Sequence, residues 1–407
     1  MNTIKDLLGK NLRQYGIMLA LVVIVIVFAA ATGGKLLIPN NLWTLIQQNA
    51  YVLILALGML MVIIAGHIDL SVGSVVAFIG AIVGYMMYTW NTNWVLAVIC
   101  GLLVGVLVGV WQGFWVAYVR IPAFVVTLAG MLMFRGLAQV IAARTMAGFS
   151  AGFNKIAGGS LPNWLGFIPN PFAGWLIPTS SPFAVSLDTV TVLIGVFAIA
   201  GVIFQSWRAR QSQIQHGLIV PPLSMLVLRW VLLGLAIVIV TYLLAMNTIG
   251  GTPILLILLA VLIMVYSFVT TRTVFGRHVY AVGGNRNAAL LSGVNTARVD
   301  FGIFVNMGFL AAVAAIVTTS RAGAAVAAAG QSYELDAIAS CFIGGTAVTG
   351  GVGRVAGAMI GALIMGVLNM GLSILSVDAN WQMAIKGLVL LIAVTLDLVS
   401  KRRATVG

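Results

Sequence analysis

Apolar runs of about twenty residues recur along the whole chain, and each is long enough for a helix to cross a hydrocarbon core about 30 Å thick. Only 7% of the residues are charged and 61% are hydrophobic, whereas a soluble domain carries about 25% charged residues. The runs lack the period-two alternation of a membrane barrel. Because backbone groups in lipid must find their hydrogen bonds within the protein, the sequence predicts an all-α integral membrane protein.

The apolar runs predict a polytopic bundle of about twelve transmembrane helices. Their expected positions are 17–37, 46–66, 70–88, 94–118, 122–143, 188–206, 222–246, 253–270, 301–320, 331–350, 355–376 and 380–399. The tenth run is the weakest, and either a full span or a broken, re-entrant segment fits it. Ahead of the first run, residues 1–16 form a helix with one apolar face, which predicts an amphipathic helix on the cytoplasmic membrane surface. The residues on that face are Ile4, Leu7, Leu8 and Leu12.

The basic residues predict the orientation of the bundle. The net charge is +13, and nearly all Lys and Arg residues of the connections fall on one side if the spans alternate. Because cytoplasmic loops of membrane proteins are rich in Lys and Arg, we expect both termini in the cytoplasm. The positive charge therefore gives no reason to expect a nucleic-acid partner. In this topology residues 144–187 form an external loop, and residues 270–300 form the largest cytoplasmic loop.

The sequence carries no motif for chemistry within this chain. A P-loop motif, G-x-x-x-x-G-K-[ST], is missing, so ATP binding by that cradle is excluded. His67, His216 and His278 are far apart in sequence, and no Cys/His spacing suggests a metal site. Neither a Ser-His-Asp arrangement nor a carboxylate pair stands out. We therefore expect a transport protein without a cofactor of its own rather than an enzyme.

A polar stretch interrupts the apolar sequence between the second and third predicted spans. Its candidate path or gate residues are His67, Asp69, Ser71, Gly73 and Ser74. Asp69 or Ser71 can cap the third helix by accepting hydrogen bonds from its first N–H groups. Alternatively, the stretch belongs to a translocation path or gate, because an intramembrane charge is costly and is usually retained for function. The two interpretations are compatible.

A glycine-rich stretch, 344–353, interrupts the second half of the chain. Five of its ten residues are glycine, and each glycine in a helix interior costs about 1 kcal/mol relative to alanine. The stretch therefore predicts either a tight turn between spans or an irregular segment that lines a cavity within the protein. Gly344, Gly345 and Thr346 are its candidate path or gate residues. One interrupted segment in each half of the chain is a pattern that marks the path in secondary transporters.

Five further charged residues have two interpretations each. Glu334 and Asp336 begin the weak tenth run, and Asp378 lies in a short outer connection. These carboxylates are either solvated loop charges or a docking site for a partner outside the membrane. Arg135 and Lys386 fall inside apolar helices, where their long side chains are expected to snorkel to an interface or to serve the path.

Three stretches together carry a family resemblance. They are GHIDLSVGSVVAF at 66–78, GRHVYAVGGNRNAALLSGVNTARV at 276–299, and YELDAIASCFIGGTAVTGGVGRVAGAMIGALIMGVLNMGL at 333–372. With these stretches the chain resembles the permease subunits of bacterial ATP-binding cassette importers for monosaccharides, the ribose, xylose and multiple-sugar class. The match covers roughly 45–143 and 253–400. It departs from many family members at His67, where they have glycine.

The resemblance implies the partners of this chain. Such permeases pair as two copies, associate with a two-domain ATPase that binds ATP and magnesium, and receive a monosaccharide from a periplasmic binding protein. The stretch 276–299 would be the element that couples the permease to the ATPase. Its residues of interest are Gly276, Arg277, Gly283, Gly284, Asn285, Ala288 and Gly293. We expect a sharp turn at Gly283 and Gly284 and a helix cap at Asn285.

The chain is longer than the ribose-type members, and the extra length falls near 145–250. This insertion holds two predicted spans, which we expect to lie outside the sugar path, and it favours the xylose or multiple-monosaccharide branch. The expected divisions are 1–16, 17–143, 144–252, 253–400 and a basic tail, 401–407. The alternative function is an ion-coupled secondary sugar carrier, which would place an ionisable residue within the membrane to bind its driving ion.

Overall fold

The computed structural model describes residues 2–165, 188–217, 220, 223–246 and 250–406. Its helices are α1 Asn2–Ala31, α2 Pro39–Ile64, α3 Val72–Tyr88, α4 Trp94–Ala117, α5 Ala123–Ile141, α6 Ala151–Gly158, α7 Thr189–Gln215, α8 Leu223–Ala245, α9 Ile254–Arg272, α10 Val274–Gly284, α11 Arg286–Leu291, α12 Thr296–Ala322, α13 Tyr333–Ile343, α14 Val355–Ile374 and α15 Ala379–Val406. A 3₁₀ turn, Lys35–Leu37, precedes α2, and two short strands, β1 Met146–Ala147 and β2 Ala324–Ala325, pair antiparallel.

Helices dominate the described chain, and every predicted span overlaps with one. Eight of them are long and apolar enough to cross a membrane: α2, α4, α5, α7, α8, α9, α12 and α14. Shorter apolar stretches lie in α1, α3 and α15. The prediction of an all-α polytopic membrane protein is confirmed. The predicted total of twelve crossings stays a prediction, because α13 has only 11 residues and extends about 16 Å at 1.5 Å per residue.

The N-terminal prediction needs a correction at its boundary. The expected surface helix, 1–16, and the first span are parts of one continuous helix, α1. Its apolar portion begins at Gly16, and α1 contains no proline, only two isolated glycines, Gly9 and Gly16. A single helical glycine weakens a helix by only about 1 kcal/mol. The placement of residues 1–16 on a membrane surface stays a prediction.

The core of the bundle is built around α2 and α12, against which α3, α4 and α14 pack. The contact between α4 and α12 depends on small residues, because a Cβ atom at Gly105 or Gly308 would overlap the other's carbonyl oxygen. A Cβ at Gly109 would likewise approach the Phe304 carbonyl oxygen. The small residues at one face of α4 therefore let the two backbones approach closely, as expected for tightly packed membrane helices.

The helices of the insertion form a separate pair. α7 and α8 pack mainly against each other, with Gly195 against the Thr241 side chain, and most of their surface is exposed in the single chain. Asp188 begins α7 by accepting a hydrogen bond from the Val190 N–H at 3.1 Å. The first part of the predicted external loop contains β1 and α6, whereas residues 166–187 of that loop lie outside the described residues.

Candidate translocation and coupling sites

The tenth predicted span is a broken segment, in which an irregular stretch precedes a short helix. α12 ends at Ala322, and β2 follows it at the end of the bundle where β1 and the C-terminus of α5 lie. We call this the predicted outer end. The chain then runs through 326–332 without helical structure into α13, and beyond it the Gly351 N–H donates to the Ile64 carbonyl at 2.8 Å. Ile64 ends α2 at the opposite, predicted cytoplasmic end. An irregular segment and a half-length helix together therefore connect the two ends.

Arg135 of α5 holds the irregular half of this broken segment. Its guanidinium donates to the carbonyl oxygens of Ala327 at 3.1 Å, Ala329 at 2.7 Å and Gly330 at 3.2 Å. Carbonyls that leave helical geometry inside a membrane need partners within the protein, because lipid offers none. Arg135 supplies these partners, so its side chain serves the broken segment instead of snorkelling to an interface.

Asp336 lies at the centre of a buried polar cluster, which we call the interior cluster. Its carboxylate accepts hydrogen bonds from the Tyr51 hydroxyl at 2.5 Å and from Asn369 Nδ2 at 3.5 Å, and Lys386 Nζ lies 3.1 Å away. The Tyr51 ring also stacks on Tyr333, with ring centroids 3.5 Å apart. The cluster joins α2, α13, α14 and α15 below their predicted outer ends.

The interior cluster corrects two sequence-based expectations. Asp336 is only 1% exposed, so this carboxylate cannot form part of a surface that docks a partner outside the membrane. Lys386 pairs with Asp336 instead of snorkelling. Sequence reasoning missed Tyr51, Tyr333 and Asn369, because nothing in their own surroundings sets them apart. The available signal was a lysine inside an apolar helix, which implies a partner of opposite charge.

The other two candidate docking residues lie in different surroundings. Glu334 is half-buried in the first turn of α13, and a Cβ atom at Gly73 would overlap its carboxylate. Glu334 is therefore packed against α3 within the bundle and is not a loop charge. Asp378 is exposed just before α15, where it accepts a hydrogen bond from the Asn380 N–H at 2.8 Å. A docking role for Asp378 stays a prediction.

The first interrupted segment is held by its own side chains. Asp69 accepts from the Ser71 N–H at 2.8 Å and from the Ser71 hydroxyl at 2.6 Å, and Gln112 Nε2 of α4 donates to Ser71 Oγ at 2.6 Å. Asp69 thus binds the N–H of Ser71, the residue directly before α3, rather than an N–H within the first turn of α3 as the predicted cap would. Ser74 is buried. Gly73 lets the irregular stretch pack against α3, because a Cβ at this position would overlap the Gly330 carbonyl oxygen.

His67 belongs to a second charged cluster, at the predicted cytoplasmic end. His67 Nε2 lies 3.1 Å from one carboxylate oxygen of Asp300, and Arg286 of α11 pairs with the other. Asp300 is 1% exposed, whereas the Arg286 side chain is 47% exposed. We call these residues the cytoplasmic-end cluster. They border a cavity of about 600 Å³ that the connection between α4 and α5 also lines.

The coupling segment forms two short helices, α10 and α11. Asn285 Oδ1 accepts from the Ala288 N–H at 2.9 Å, so the predicted cap is present. Gly283 and Gly284 lie inside α10 rather than in a sharp turn, and Asn285 makes the break with an extended backbone. Gly283 serves close packing, since a Cβ there would overlap the Ile64 carbonyl oxygen. Gly293, at φ 83°, turns the chain after α11.

The remaining coupling residues occupy both helices. Gly276 packs against the end of α9, where a Cβ would overlap the Val269 carbonyl oxygen. Arg277 and Ala288 are exposed. Leu290 and Leu291 are 59% and 89% exposed, respectively. α11 therefore presents an apolar tip to the outside of the single chain.

The glycine-rich stretch 344–353 is a tight turn that contacts α10. Gly345, Gly350 and Gly351 have φ angles of 84°, 80° and 74°, which favour glycine. Gly344 packs against the backbone of α14, and Thr346 is fully buried. The Tyr280 hydroxyl of α10 donates to the Gly353 carbonyl at 2.7 Å. The stretch thus ties the coupling helices to the hairpin of α13 and α14.

Comparisons with known proteins agree with this architecture. Residues 41–394 match the family model described as "Branched-chain amino acid transport system / permease component". The chain is 38% identical over 395 residues to the xylose transport system permease protein XylH of Escherichia coli (strain K12), covering 97% of this chain and 94% of that protein. It is 37% identical to XylH of Haemophilus influenzae (strain ATCC 51907 / DSM 11121 / KW20 / Rd) over 393 residues, covering 97% and 98%.

A third relative carries a different sugar in its name. The ribose import permease protein RbsC of Bacillus subtilis (strain 168) is 33% identical over 389 residues, covering 95% of this chain and 93% of that protein. No solved structure matches the chain. The family match and the relatives span the insertion as well as the stretches quoted above. The chain therefore belongs to the family of transport-system permease components that this model describes, and it is a multi-pass membrane protein.

Proposed function

We propose that this chain is the permease subunit of a binding-protein-dependent ATP-binding cassette importer that carries a monosaccharide, with a xylose-like sugar favoured. The names of its relatives, xylose and ribose permeases, support a sugar as the substrate. The chain makes and breaks no bonds in this function. ATP and magnesium bind to a separate ATPase, and the sugar crosses by alternating access of the helices.

The assembly would contain several partners. Two copies of this chain pair in the bacterial inner membrane among its lipids, a two-domain ATPase docks on the cytoplasmic side, and a periplasmic sugar-binding protein docks outside. Both termini lie in the cytoplasm, as the distribution of Lys and Arg indicates. With this orientation α10 and α11 face the ATPase, and Asp378 faces the binding protein.

The observation that carries the proposal is the attachment of α10 and α11. Gly283 lies against the end of α2, and Tyr280 bonds to the glycine-rich turn, so α10 is fixed to two elements of the core. Beside it, α11 presents Leu290 and Leu291 outside the single chain. A loop that served only to connect spans would gain nothing by exposing two leucines, whereas an apolar tip of this kind suits a groove on a partner.

This attachment also gives a route for motion. The turn 344–353 directly follows α13, and α13 is the helical half of the broken segment, with Asp336 in its first turn. A displacement of α10 by the ATPase would therefore move the end of α2 and α13 together. Packed interfaces shift between discrete arrangements rather than deforming gradually, so a small movement at α10 can open or close the path.

The test places a charge on the proposed contact through Ala288→Glu. Ala288 is exposed on α11, so the variant should insert and fold. We expect it to lose co-purification with the partner ATPase and to lose at least about 90% of sugar uptake, because the charge has no partner in an apolar contact. Ala151→Glu, at an exposed position in the first turn of α6, is the matched control and should keep ATPase association. Wild-type association and uptake in Ala288→Glu would contradict the proposed coupling role.

A secondary carrier remains the alternative, and Asp336 is the observation that favours it. An ion-coupled carrier places an ionisable group within the membrane, and Asp336 lies there. Its carboxylate is already neutralised by Lys386, however, which is a poor arrangement for binding a driving cation. Uptake that requires an ion gradient and no ATPase would favour the carrier.

A further inference from the structure

The irregular segment 326–332 and its neighbours lie well inside the bundle. Arg135 is six residues before the end of α5, which corresponds to about 9 Å. Lys386 is seven residues after the start of α15, or about 10 Å, and it bonds to Asp336 on the first turns of α13. Glu334 precedes Asp336 by two residues. Arg135 and Glu334 are therefore at membrane depth.

One side of this region cannot face lipid. Non-helical backbone is tolerated at membrane depth only where it is buried in protein or lines a water-filled space. Gly330 is buried against α3, but Ala328 and Gln331 are exposed in the single chain, and Arg135 and Glu334 are only half-buried. An exposed glutamine beside two partly open charges requires water or a polar solute on that side.

Glu334 differs from Asp336 in how its carboxylate is used. Asp336 accepts from Tyr51, Asn369 and Lys386. Among the residues that the structure describes, no other side chain donates a hydrogen bond to the Glu334 carboxylate, and Arg135 contributes a nearby positive charge. A carboxylate can accept about four hydrogen bonds, so Glu334 retains acceptor capacity at a depth where no lipid group can fill it.

We propose that Glu334 binds the transported sugar, accepting hydrogen bonds from neighbouring hydroxyl groups, and that Arg135 and segment 326–332 form the polar wall beside it. This inference rests on the proposed function and names the sugar-binding residue of its path. A carboxylate with two acceptor oxygens suits adjacent hydroxyl groups on one sugar ring. Arg135 is a positioning residue here, because its guanidinium holds the carbonyls of Ala327, Ala329 and Gly330.

The experiment uses the full permease reconstituted into proteoliposomes with its ATPase and binding protein, with radiolabelled xylose and ribose as probes. Glu334→Gln keeps the side-chain size and removes the charge. We expect maximal uptake to fall at least tenfold, while permease insertion, co-purification with the ATPase, and ATP hydrolysis stimulated by the loaded binding protein stay within twofold of wild type. The matched carboxylate-to-amide control is Asp188→Asn, which retains an N-cap on the peripheral helix α7 and should not reduce uptake.

A second measurement tests the environment directly. Gln331→Cys, in a background of Cys100→Ala and Cys341→Ala, should react with a small hydrophilic thiol reagent, and xylose delivered by the binding protein should slow the reaction. Wild-type uptake in Glu334→Gln would overturn the proposal, as would a Gln331→Cys that is unreactive or that cross-links two permease copies. Absence of ATP-driven xylose or ribose uptake in the wild type would instead contradict the proposed function itself, so the two failures are distinguishable.

Discussion

The interior cluster and the cytoplasmic-end cluster use similar chemistry in different surroundings. Each has an aspartate that is 1% exposed, a basic partner and a further ring-bearing residue, Tyr51 or His67. The cations differ, because the Lys386 side chain is 14% exposed and the Arg286 side chain is 47% exposed. The interior pair is largely closed off from solvent, so the protein itself must compensate its charges. Arg286 and His67, in contrast, border a cavity large enough for water.

The difference teaches where charge is costly in this fold. A buried ion pair is not strongly stabilising in itself, but removing one partner leaves an uncompensated charge. In the cytoplasmic-end cluster the aspartate is equally buried, but its Arg286 partner is half-exposed, so solvent screens that cation and a second partner, His67, stays beside Asp300. We therefore expect the interior cluster to control folding and the cytoplasmic-end cluster to control the position of α11. The predictions below test this contrast.

The largest effect is expected from Lys386→Met. It leaves Asp336 buried without a cation and should destabilise the folded protein by about 3–5 kcal/mol, measured as unfolding in mixed detergent micelles. The double variant Lys386→Met with Asp336→Asn removes both charges and should recover most of that loss. If Lys386→Met alone unfolds like the wild type, the interior cluster is not a coupled ion pair.

A smaller effect is expected from Arg286→Met at the other end. Asp300 keeps its contact with His67, and the Arg286 side chain is already half-exposed to solvent, so the loss of stability should be smaller than for Lys386→Met. The consequence should appear in function, as weaker co-purification with the ATPase, because Arg286 begins α11. A destabilisation as large as that of Lys386→Met would erase the contrast between the clusters.

The smallest perturbation tests only which side each end faces. Single cysteines at Ser160, after α6, and Ser212, near the end of α7, would be placed in a background without Cys100 and Cys341. An impermeant thiol reagent should label Ser160→Cys in intact cells and Ser212→Cys only after permeabilisation. Labelling of Ser160→Cys only from the cytoplasmic face would reverse the assignment of the two clusters.

Much of the fold follows from local sequence. Apolar length located a helix in every predicted span, and the cap at Asn285 followed from residue type alone. The boundary between the N-terminal surface helix and the first span was harder to predict, because the two segments can share one helix when no proline separates them. Gly283 and Gly284 were expected to turn the chain, but the backbone of α2 requires Gly283 for a contact that is distant in sequence.

The candidate sites were harder to predict, because their partners lie far apart in the chain. Asp336 is 285 residues from Tyr51, and Arg135 is 195 residues from Gly330, so neither pairing leaves a local pattern. Sequence reasoning correctly flagged Arg135 and Lys386 as unusual charges, yet the two long side chains suggested snorkelling. Asp300 went unnoticed, since an acid near a helix start looks like an ordinary loop charge until His67 and Arg286 are placed beside it.

The central claim is that ATP hydrolysis by a separate subunit drives a sugar through this chain. The most direct measurement is uptake of radiolabelled xylose into proteoliposomes that contain the permease, its ATPase and the xylose-loaded binding protein. We predict uptake only when ATP is supplied on the ATPase side, with no dependence on a proton or sodium gradient, and with loss of uptake when any one protein is omitted. Uptake by the permease alone, driven by an ion gradient, would contradict the account.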